Sequence, residues 1–536
     1  MKTLSRGLTR IAYALLFLFP FCLGTIYSIK YLTGGWADVY EYHEPKHYFL
    51  PELDRFGTAF VLVILFVAVI VILSNALSKL TKSKIVTIVL IILMTVFTRM
   101  IVLIIFNGEI NPFSDGLYAW QRVHGDMTTL LYVSFFPGWV NYTLFLQGIV
   151  NFIGDNYMLV LYSNVIFNAL TAVMLFLVCE EAGLSKKVCI GATFAYVLNL
   201  TSIIYVTFDT PEHMAIAFNM VALYFIIRGF KNENLINKVI YMAVAGIFLG
   251  LSSSVKTFGV IFIVAFLIAE ILRMMSSGKE KGILKLFAGC LISCAIMYGL
   301  NTAVESGITK ISENVYDIEL NSADATPHYL LVGLNYTGEG QQHIGEVGKT
   351  YIKKRQEGVD LETGKQLVPL ILADNWAGHE NLKDASEWLN KKLIWAWQDD
   401  MCPRTYFLEY TGIDVNSKSE DIVYGFWKNI APSTMQILYM LLMLLAAVGV
   451  IYIFLSKKNE NVPNRDMLID NYPLFMMGMI ILGYFCMLLI SEAQSRYKCL
   501  IIPFIGMFAV IGVEGIVSLI RKRIDKRTKP DKLQRI

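Results

Sequence analysis

The sequence predicts an all-α polytopic membrane protein, a bundle of about twelve transmembrane helices with an extracytoplasmic loop domain. Of its 536 residues, 55% are hydrophobic and 17% are charged, whereas soluble domains carry about 25% charged residues. The mean hydropathy is +0.54. Apolar stretches of about 17–25 residues, long enough to cross a hydrocarbon core of about 30 Å as helices, recur along the chain. A soluble cytosolic enzyme is therefore excluded.

Hydropathy places the twelve spans, with boundaries accurate to a few residues. They are Ile11–Ser28, Phe56–Leu77, Ile85–Phe106, Tyr157–Cys179, Val188–Phe208, Met214–Ile227, Val239–Ser254, Phe258–Leu272, Leu284–Leu300, Met435–Leu455, Leu474–Ile490 and Leu500–Ile520. More than half of the 46 Lys and Arg residues lie before the first span, after the even-numbered spans or in the C-terminal tail. Because cytoplasmic segments carry the excess of Lys and Arg, both termini are expected in the cytoplasm.

The spans divide the chain into four predicted parts. Residues 1–300 form a transmembrane bundle with an outer catalytic loop at 107–156, and 301–433 form the extracytoplasmic loop domain. Residues 434–520 supply the C-terminal transmembrane helices, and 521–536 form a basic cytoplasmic tail suited to a surface of anionic lipid.

Two outer segments have unusual compositions. The second half of the outer loop, FFPGWVNYTLFLQGIVNFIG, contains Trp139, Tyr142 and Phe145 and predicts a helix lying on the membrane. The alternative, an ordinary span, would reverse the side of every later loop. The loop domain has a length and an aromatic content that predict a folded module; its tryptophans are Trp376, Trp388, Trp395, Trp397 and Trp427.

Several function classes find no support in the composition. The net charge of +3 does not indicate a nucleic-acid partner. Seven of the eight cysteines lie in or beside apolar runs and only Cys402 lies in a long polar loop, so no disulfide framework is predicted. The sequence has no P-loop, no GxGxxG in a strand–turn–helix context and no HExxH zinc motif.

The first candidate catalytic residue is Asp115, in the segment NPFSDGLYAWQRVHGD just beyond the third span. A carboxylate there can accept a proton from an attacking hydroxyl or amine, which is the role of a general base. The alternative is that Asp115 caps the helix that follows it, because Asp is a favoured N-cap residue. Asp126, in the same loop, is a weaker candidate.

Asp209 and Glu212 form a second acidic pair in the short outer loop FDTPEH, directly before the sixth span. They are candidate substrate-binding residues. The alternative is that they only start the following helix, because Asp is favoured at the N-cap and Pro is favoured in the first helical turn.

The third cluster is SEAQSRYKC, between the last two spans, where Glu492 and Tyr497 are candidate substrate-binding residues. Arg496 in the same turn is a candidate phosphate ligand, because a guanidinium binds phosphate in a bidentate manner. Two further cations, Lys256 and Arg99, are expected to help it. The alternative for each cation is snorkelling of the side chain to the membrane interface.

These polar groups come from the ends of several spans, and the predicted topology puts them all on the outer face. Polar groups at span ends are costly and therefore mark functional sites. A group of carboxylates and cations there suits an anionic lipid headgroup and an acceptor that arrives from outside.

Four of these segments resemble the GT-C glycosyltransferases: NPFSDGLYAW, PGWVNYTLFLQ, the outer Asp209 and EAQSRY before the final span. That superfamily includes protein O-mannosyltransferases, lipid-A aminoarabinose transferases and bacterial enzymes that decorate cell-wall polysaccharides. The resemblance implies a GT-C-like bundle and an inverting sugar transfer from a polyprenyl-phosphate donor, with Asp115 in the place of the catalytic base. Ser114-Asp115-Gly116 stands where the mannosyltransferases carry an adjacent acidic pair.

The predicted function is accordingly a membrane glycosyltransferase that uses a polyprenyl-phosphate sugar and modifies a cell-surface glycan or another outer-face acceptor. Asp115 is the predicted catalytic base, and Arg496, with Lys256 or Arg99, binds the donor phosphate. Its partners are the lipid-linked donor, the glycan acceptor and membrane lipids. No cofactor is expected, with a divalent metal left open, and the predicted location is a bacterial plasma membrane.

Two rival functions stay open at this stage. A transporter or lipid flippase would show polar residues at the membrane midplane and broken helices in corresponding halves of the chain. A polysaccharide polymerase or ligase would act on the same face but would use a diphosphate-linked glycan.

Overall fold

The computed structural model describes residues 2–32, 56–81, 83–106, 110, 112, 114–128, 134–277, 283–320, 322–338, 347–398, 431–455 and 472–528. All regular structure in these residues is helical. The first part of the chain forms α1 (Lys2–Leu32), α2 (Phe56–Leu80), α3 (Lys84–Phe106), α4 (Ser114–Val123), α5 (Pro137–Phe152), α6 (Tyr157–Glu181), α7 (Lys186–Val197), α8 (Leu200–Ile204), α9 (Glu212–Lys231), α10 (Leu235–Ser253), α11 (Gly259–Ser277) and α12 (Ile283–Tyr316). The remainder forms α13 (Ser322–Gly333), α14 (Val347–Gln356), α15 (Leu361–Asn375), α16 (Leu382–Trp397), α17 (Ala431–Leu455), α18 (Tyr472–Ile490) and α19 (Ile502–Thr528).

The predicted all-helical membrane architecture is confirmed. Within the described residues, nine helices are long and apolar enough to cross a membrane, or ten when one bent pair is counted as a span. The bent pair joins Lys186–Val197 to Leu200–Thr207 at 54°, where the sequence predicts one continuous fifth span. Each of the twelve predicted spans overlaps a helix, although α12 continues 16 residues beyond the predicted end at Leu300.

The bundle has two ends that differ in their charged residues. Helices α6, α9 and α11 finish at the end where α3, α7 and α10 begin, and this end carries most of the cations of the connecting turns. The opposite end, called the site end below, holds α4, α5 and the turns before α9, before α11 and after α18. The alternation of ends matches the predicted alternation of spans, whereas the side on which each end lies remains a prediction.

Helices α13 to α16 belong to the predicted loop domain and pack on the site end. A Cβ atom at Gly333, the last residue of α13, would lie 2.4 Å from the carbonyl oxygen of Ile490. Phe135, just before α5, shares a small apolar core with Leu331 and Tyr351. The domain is therefore in contact with both the α4–α5 segment and the end of α18. Trp427 and Cys402 lie outside the described residues.

Candidate active site

Helix α4 brings Asp115 against the loop that carries Asp209. The helix begins at Ser114, so that Asp115 lies in its first turn, where the helix dipole favours a negative charge. The next residue is Gly116, and a Cβ atom there would lie 2.6 Å from the backbone oxygen of Asp209. A side chain at position 116 would separate the two segments, so glycine permits this close approach. Asp115 itself is half-buried.

Asp209 is 2% exposed, and its carboxylate accepts a 2.5 Å hydrogen bond from the Tyr142 hydroxyl through Oδ1. The other oxygen, Oδ2, is buried and has no hydrogen-bond partner among the described residues. Burial raises the pKa of Asp209 to about 7, and the hydrogen bond from Tyr142 acts in the opposite direction. The Asp209 carboxyl group is therefore suited to exchange a proton near neutral pH, and its Oδ2 is free of protein partners among the described residues.

Tyr142 is held in place because α5 is anchored to two neighbouring elements. Asn141 donates a 2.7 Å hydrogen bond to the Ser254 carbonyl and accepts one of 2.7 Å from Ser312 of α12. A Cβ atom at Gly138 would lie 2.6 Å from the Val255 carbonyl oxygen, so the first turn of α5 lies directly on the turn between α10 and α11. The predicted surface helix is therefore also part of the wall of the site.

Glu212, at the start of α9, forms the central ion pair of the site. Its Oε1 lies 3.0 Å from Nζ of Lys256, and the Glu212 side chain is 2% exposed. The Lys256 ammonium also faces two aromatic rings, with its Nζ 6.0 Å from the ring centre of Trp139 and 5.2 Å from that of Tyr497. The predicted cation from the α10–α11 turn thus links α5, α9 and the segment after α18.

The segment after α18 supplies the last members of the cluster. Tyr497 lies in a short 3₁₀ helix, Ser495–Leu500, and its hydroxyl donates a 2.8 Å hydrogen bond to Glu492 Oε2. Gln494 donates to the other oxygen of the same carboxylate. The backbone of Arg496 lies in this 3₁₀ helix, but its side chain is outside the described residues, so its phosphate-binding role stays a prediction.

Arg99 does not join this cluster. Its side chain is fully buried, and its guanidinium donates hydrogen bonds to the carbonyls of Val197 and Tyr196. These carbonyls lie at the end of α7, where the chain bends toward α8. Arg99 therefore binds the broken end of α7, in place of the predicted help to Arg496 in binding the donor phosphate.

The two other charged residues of the α4 segment have different surroundings. Asp126 is exposed and accepts a 2.9 Å hydrogen bond from the Thr128 backbone amide, which is a local turn contact. Arg122, in contrast, is 2% exposed and donates to the Thr143 hydroxyl of α5. Arg122 is a residue that the sequence did not single out, and it fixes α4 on α5.

The observed contacts do not support helix capping as the role of Asp209. The N-cap position of α9 is Pro211 and shows no side-chain cap hydrogen bond, whereas the Asp209 carboxylate is bound to Tyr142. The pairing with Tyr142 was missed because the two residues lie 67 positions apart. One feature of the sequence pointed to Tyr142: it lies three residues after Trp139, so both side chains lie on one face of the predicted helix.

Metal-ligand groups of three or more His, Cys, Asp or Glu side chains are not found among the described residues. Within the part of the chain that the structure describes, the charges of the site are instead several carboxylates and one cation, Lys256, which lies beside Glu212. Chemically, the arrangement offers one half-exposed carboxylate, one buried carboxyl group with a near-neutral pKa, and a cation held between aromatic rings.

Comparison with known proteins supports the resemblance seen in the sequence. The model of the dolichyl-phosphate-mannose-protein mannosyltransferase family matches residues 122–308. The predicted resemblance to the GT-C glycosyltransferases is thereby confirmed for this part of the chain, which contains Asp209, Glu212 and Lys256. Asp115 and Arg496 lie outside the matched residues.

Among solved structures, the chain is similar to the S. cerevisiae protein O-mannosyltransferase Pmt1-Pmt2 complex bound to the sugar donor. The sequence identity is 14% and the TM-score is 0.34, over 48% of this chain. The match spans 37% of the length of the yeast chain. No curated protein sequence is significantly similar to this chain.

Proposed function

We propose that the protein is an inverting glycosyltransferase that moves a sugar from a polyprenyl-phosphate donor to an acceptor at the outer face of a membrane. The observation that carries the proposal is the meeting of Asp115, Asp209, Glu212, Lys256 and Glu492 at one end of a membrane bundle. The family match over residues 122–308 supports the same chemistry.

Asp115 is the proposed general base. It is the half-exposed carboxylate of the group, whereas Asp209 and Glu212 are buried and already hold Tyr142 and Lys256. Asp115 takes a proton from the acceptor nucleophile as that atom attacks the anomeric carbon, and the configuration inverts. Positioned general-base catalysis of this kind contributes about 10²–10⁴ in rate.

The leaving group is a phosphate, so the reaction does not require a second carboxylic acid of the kind that a glycosidase uses to protonate its leaving oxygen. Arg496 is proposed to bind the departing phosphate, with Lys256 supplying additional positive potential. Lys256 is suited to this supporting role because Glu212 and two aromatic rings hold it in place. Asp209 is proposed to bind a sugar hydroxyl through its unoccupied Oδ2, with Glu492 and Tyr497 lining the donor side.

The cellular setting is part of the proposal. The bias of Lys and Arg toward the end opposite the site supports a cytoplasmic location for that end and an outer location for the site. We propose a bacterial plasma membrane and a cell-surface glycan as the acceptor, on the resemblance stated for the sequence. A transporter is disfavoured because the carboxylates cluster at one end of the bundle and not at its midplane.

The test is mass spectrometry of lipid-linked sugars in a strain that lacks the gene. A polyprenyl-monophosphate sugar should accumulate, and expression of the wild-type protein should return it to its normal level. Expression of Asp115→Asn should not. Accumulation of a diphosphate-linked glycan would favour the polymerase alternative, and an unchanged lipid profile would contradict a donor-consuming enzyme.

A further inference from the structure

Two buried lysines connect helix α16 of the loop domain with the segment after α18, and they do so in opposite directions. Lys392 of α16 donates a hydrogen bond of 2.9 Å to the carbonyl of Leu489, in the last turn of α18. Lys498, in the 3₁₀ helix, donates one of 2.6 Å to the carbonyl of Ala396, in the last turn of α16. Each segment therefore supplies the donor for the other.

The acceptors of these bonds are carbonyls of helix C-termini, which carry partial negative charge and lack an intrahelical partner. Lys392 also donates to the carbonyl of Gly333, at the end of α13. Three helix ends thus meet at the segment that holds Glu492, and two amines satisfy them. Without the amines, these buried carbonyls would be unsatisfied, which costs more than an ordinary hydrogen bond contributes.

The lysines act through hydrogen bonds and through packing on aromatic rings. Lys392 Nζ lies 5.3 Å from the ring centre of Trp388, and Lys498 Nζ lies 5.0 Å from that of Tyr439. Burial lowers the pKa of Lys392 to about 7, and the nearby Glu492 acts in the opposite direction. Because an amine donates two hydrogen bonds whether or not it is protonated, both carbonyl contacts of Lys392 persist across neutral pH.

The connected segment contains two members of the catalytic cluster, Glu492 and Tyr497. Tyr497 precedes Lys498, its hydroxyl donates a hydrogen bond to Glu492, and its ring centre lies 5.2 Å from Nζ of Lys256. A shift of the 3₁₀ helix by an ångström would therefore change the surroundings of Lys256 directly. The lysines themselves donate to backbone carbonyls and face aromatic rings.

We infer that Lys392 and Lys498 are positioning residues through which helix α16 of the loop domain sets the place of Tyr497 against Lys256, and so shapes the donor-phosphate side of the site. The inference rests on the proposed function for its kinetic consequence. Its structural consequence, the ordering of residues 489–500 by α16, does not depend on the reaction.

The structural test is hydrogen–deuterium exchange of the full-length protein in lipid nanodiscs. Lys392→Met and Lys498→Met keep the length of the side chain and remove the donor. Exchange of peptides covering 489–500 should become about tenfold faster or more, the change expected when one hydrogen bond to such a group is lost from an opening equilibrium. Lys383→Met is the matched control, because Lys383 lies on the same helix and is 82% exposed. Unchanged exchange in both buried-lysine variants would overturn the inference.

The kinetic test separates positioning from general damage to the fold. Both variants should raise the KM for the lipid-linked donor about tenfold with a smaller change in kcat, while Lys383→Met matches the wild type. A fall in kcat alone, with an unchanged donor KM, would contradict positioning of the donor side. If exchange responds as expected but no protein form transfers sugar, the proposed function fails and the structural connection stands.

Discussion

Both ends of the bundle bury charged side chains, but the groups that pair with the buried carboxylates differ between the two ends. At the end opposite the site, Glu270 lies 2.6 Å from Lys238 and 2.6 Å from Arg273, and Lys187 pairs with Glu514. At the site end, Glu212 also pairs with a cation, Lys256, but Asp209 is buried with no cation bound among the described residues, and Glu492 accepts hydrogen bonds from Tyr497 and Gln494. At the first end the buried carboxylates Glu270 and Glu514 are paired with cations, whereas at the site end two buried carboxylates, Asp209 and Glu492, accept hydrogen bonds from neutral donors.

This difference supports the proposal that the site end is the end that carries out the chemistry. A buried ion pair contributes little net stability, but removal of one partner is strongly destabilising, so balanced clusters such as Lys238–Glu270 favour a structural role. Carboxylates without cations are retained at a cost in stability, and such costs concentrate at functional sites. Substitutions at the site end should therefore change activity, and substitutions at the other end should change stability.

The largest expected effect belongs to Asp115→Asn. Asparagine fits the first turn of α4 about as well as aspartate but cannot accept a proton, so transfer should slow about a hundredfold or more with normal donor binding. Steady-state transfer by the purified protein measures it, and Asp155→Asn is the control because Asp155 is 60% exposed and pairs only with His124 among the described residues. Near-normal transfer by Asp115→Asn would direct the search for a base to Asp209.

The second prediction compares one lysine from each end of α10. Lys256→Met removes the cation beside Glu212 and should lower kcat/KM about ten- to a hundredfold, the value of one charge-assisted contact. Lys238→Met should lower the melting temperature without changing kcat or KM, because Arg273 still pairs with Glu270. Equal kinetic losses in the two variants would remove the distinction between the ends.

Much of this organisation could be predicted from the sequence, because hydropathy reports the length of each apolar segment directly. The alternation of span ends was enough to expect Asp115, Asp209, Glu212, Lys256 and Glu492 on one face, and the structure brings these segments together. Hydropathy carries no record of packing partners, however. The bond between Tyr142 and Asp209, and the paired contacts of Lys392 and Lys498, join residues from 67 to 102 positions apart.

The placement of Arg99 shows a second limit of sequence reasoning. The sequence around an arginine near the end of an apolar segment is the same whether its side chain extends to the membrane interface or points into the bundle. Here the bend after Val197 frees carbonyl groups inside the bundle, and the guanidinium binds them. The bend was not predicted because the sequence from Val188 to Phe208 predicts one continuous apolar span.

The third prediction tests the contact between α4 and the Asp209 loop. Gly116→Ala would place a Cβ atom 2.6 Å from the Asp209 carbonyl oxygen, so α4 must shift and carry Asp115 with it. A misplacement of this size should reduce transfer about tenfold or more. Gly148→Ala on α5 is the matched control, because a Cβ atom there meets nothing within 4 Å. Equal activity of the two alanine variants would mean that the close approach at Gly116 does not position the base.

The last prediction concerns stability and pH at Asp209, whose pKa burial raises to about 7. The unfolded chain releases this proton near pH 3.9, so the folded protein binds more protons than the unfolded chain between about pH 4 and 7. The contribution of Asp209 to stability is therefore fully present below about pH 4 and is lost as the pH rises through 7. Thermal unfolding of the wild type should show a fall across this window that Asp209→Asn lacks, with a difference of up to a few kcal/mol.

Tyr142→Phe sharpens the same measurement, since it removes the hydrogen bond that opposes the effect of burial. The pKa of Asp209 should then rise further, and the window in which stability falls should extend to higher pH. Identical pH profiles for the wild type and Asp209→Asn would show that the carboxyl group is solvated as it is in the unfolded chain. In that case Asp209 would carry no cost of burial that a substrate hydroxyl could relieve, and its proposed binding of the sugar would lose its support.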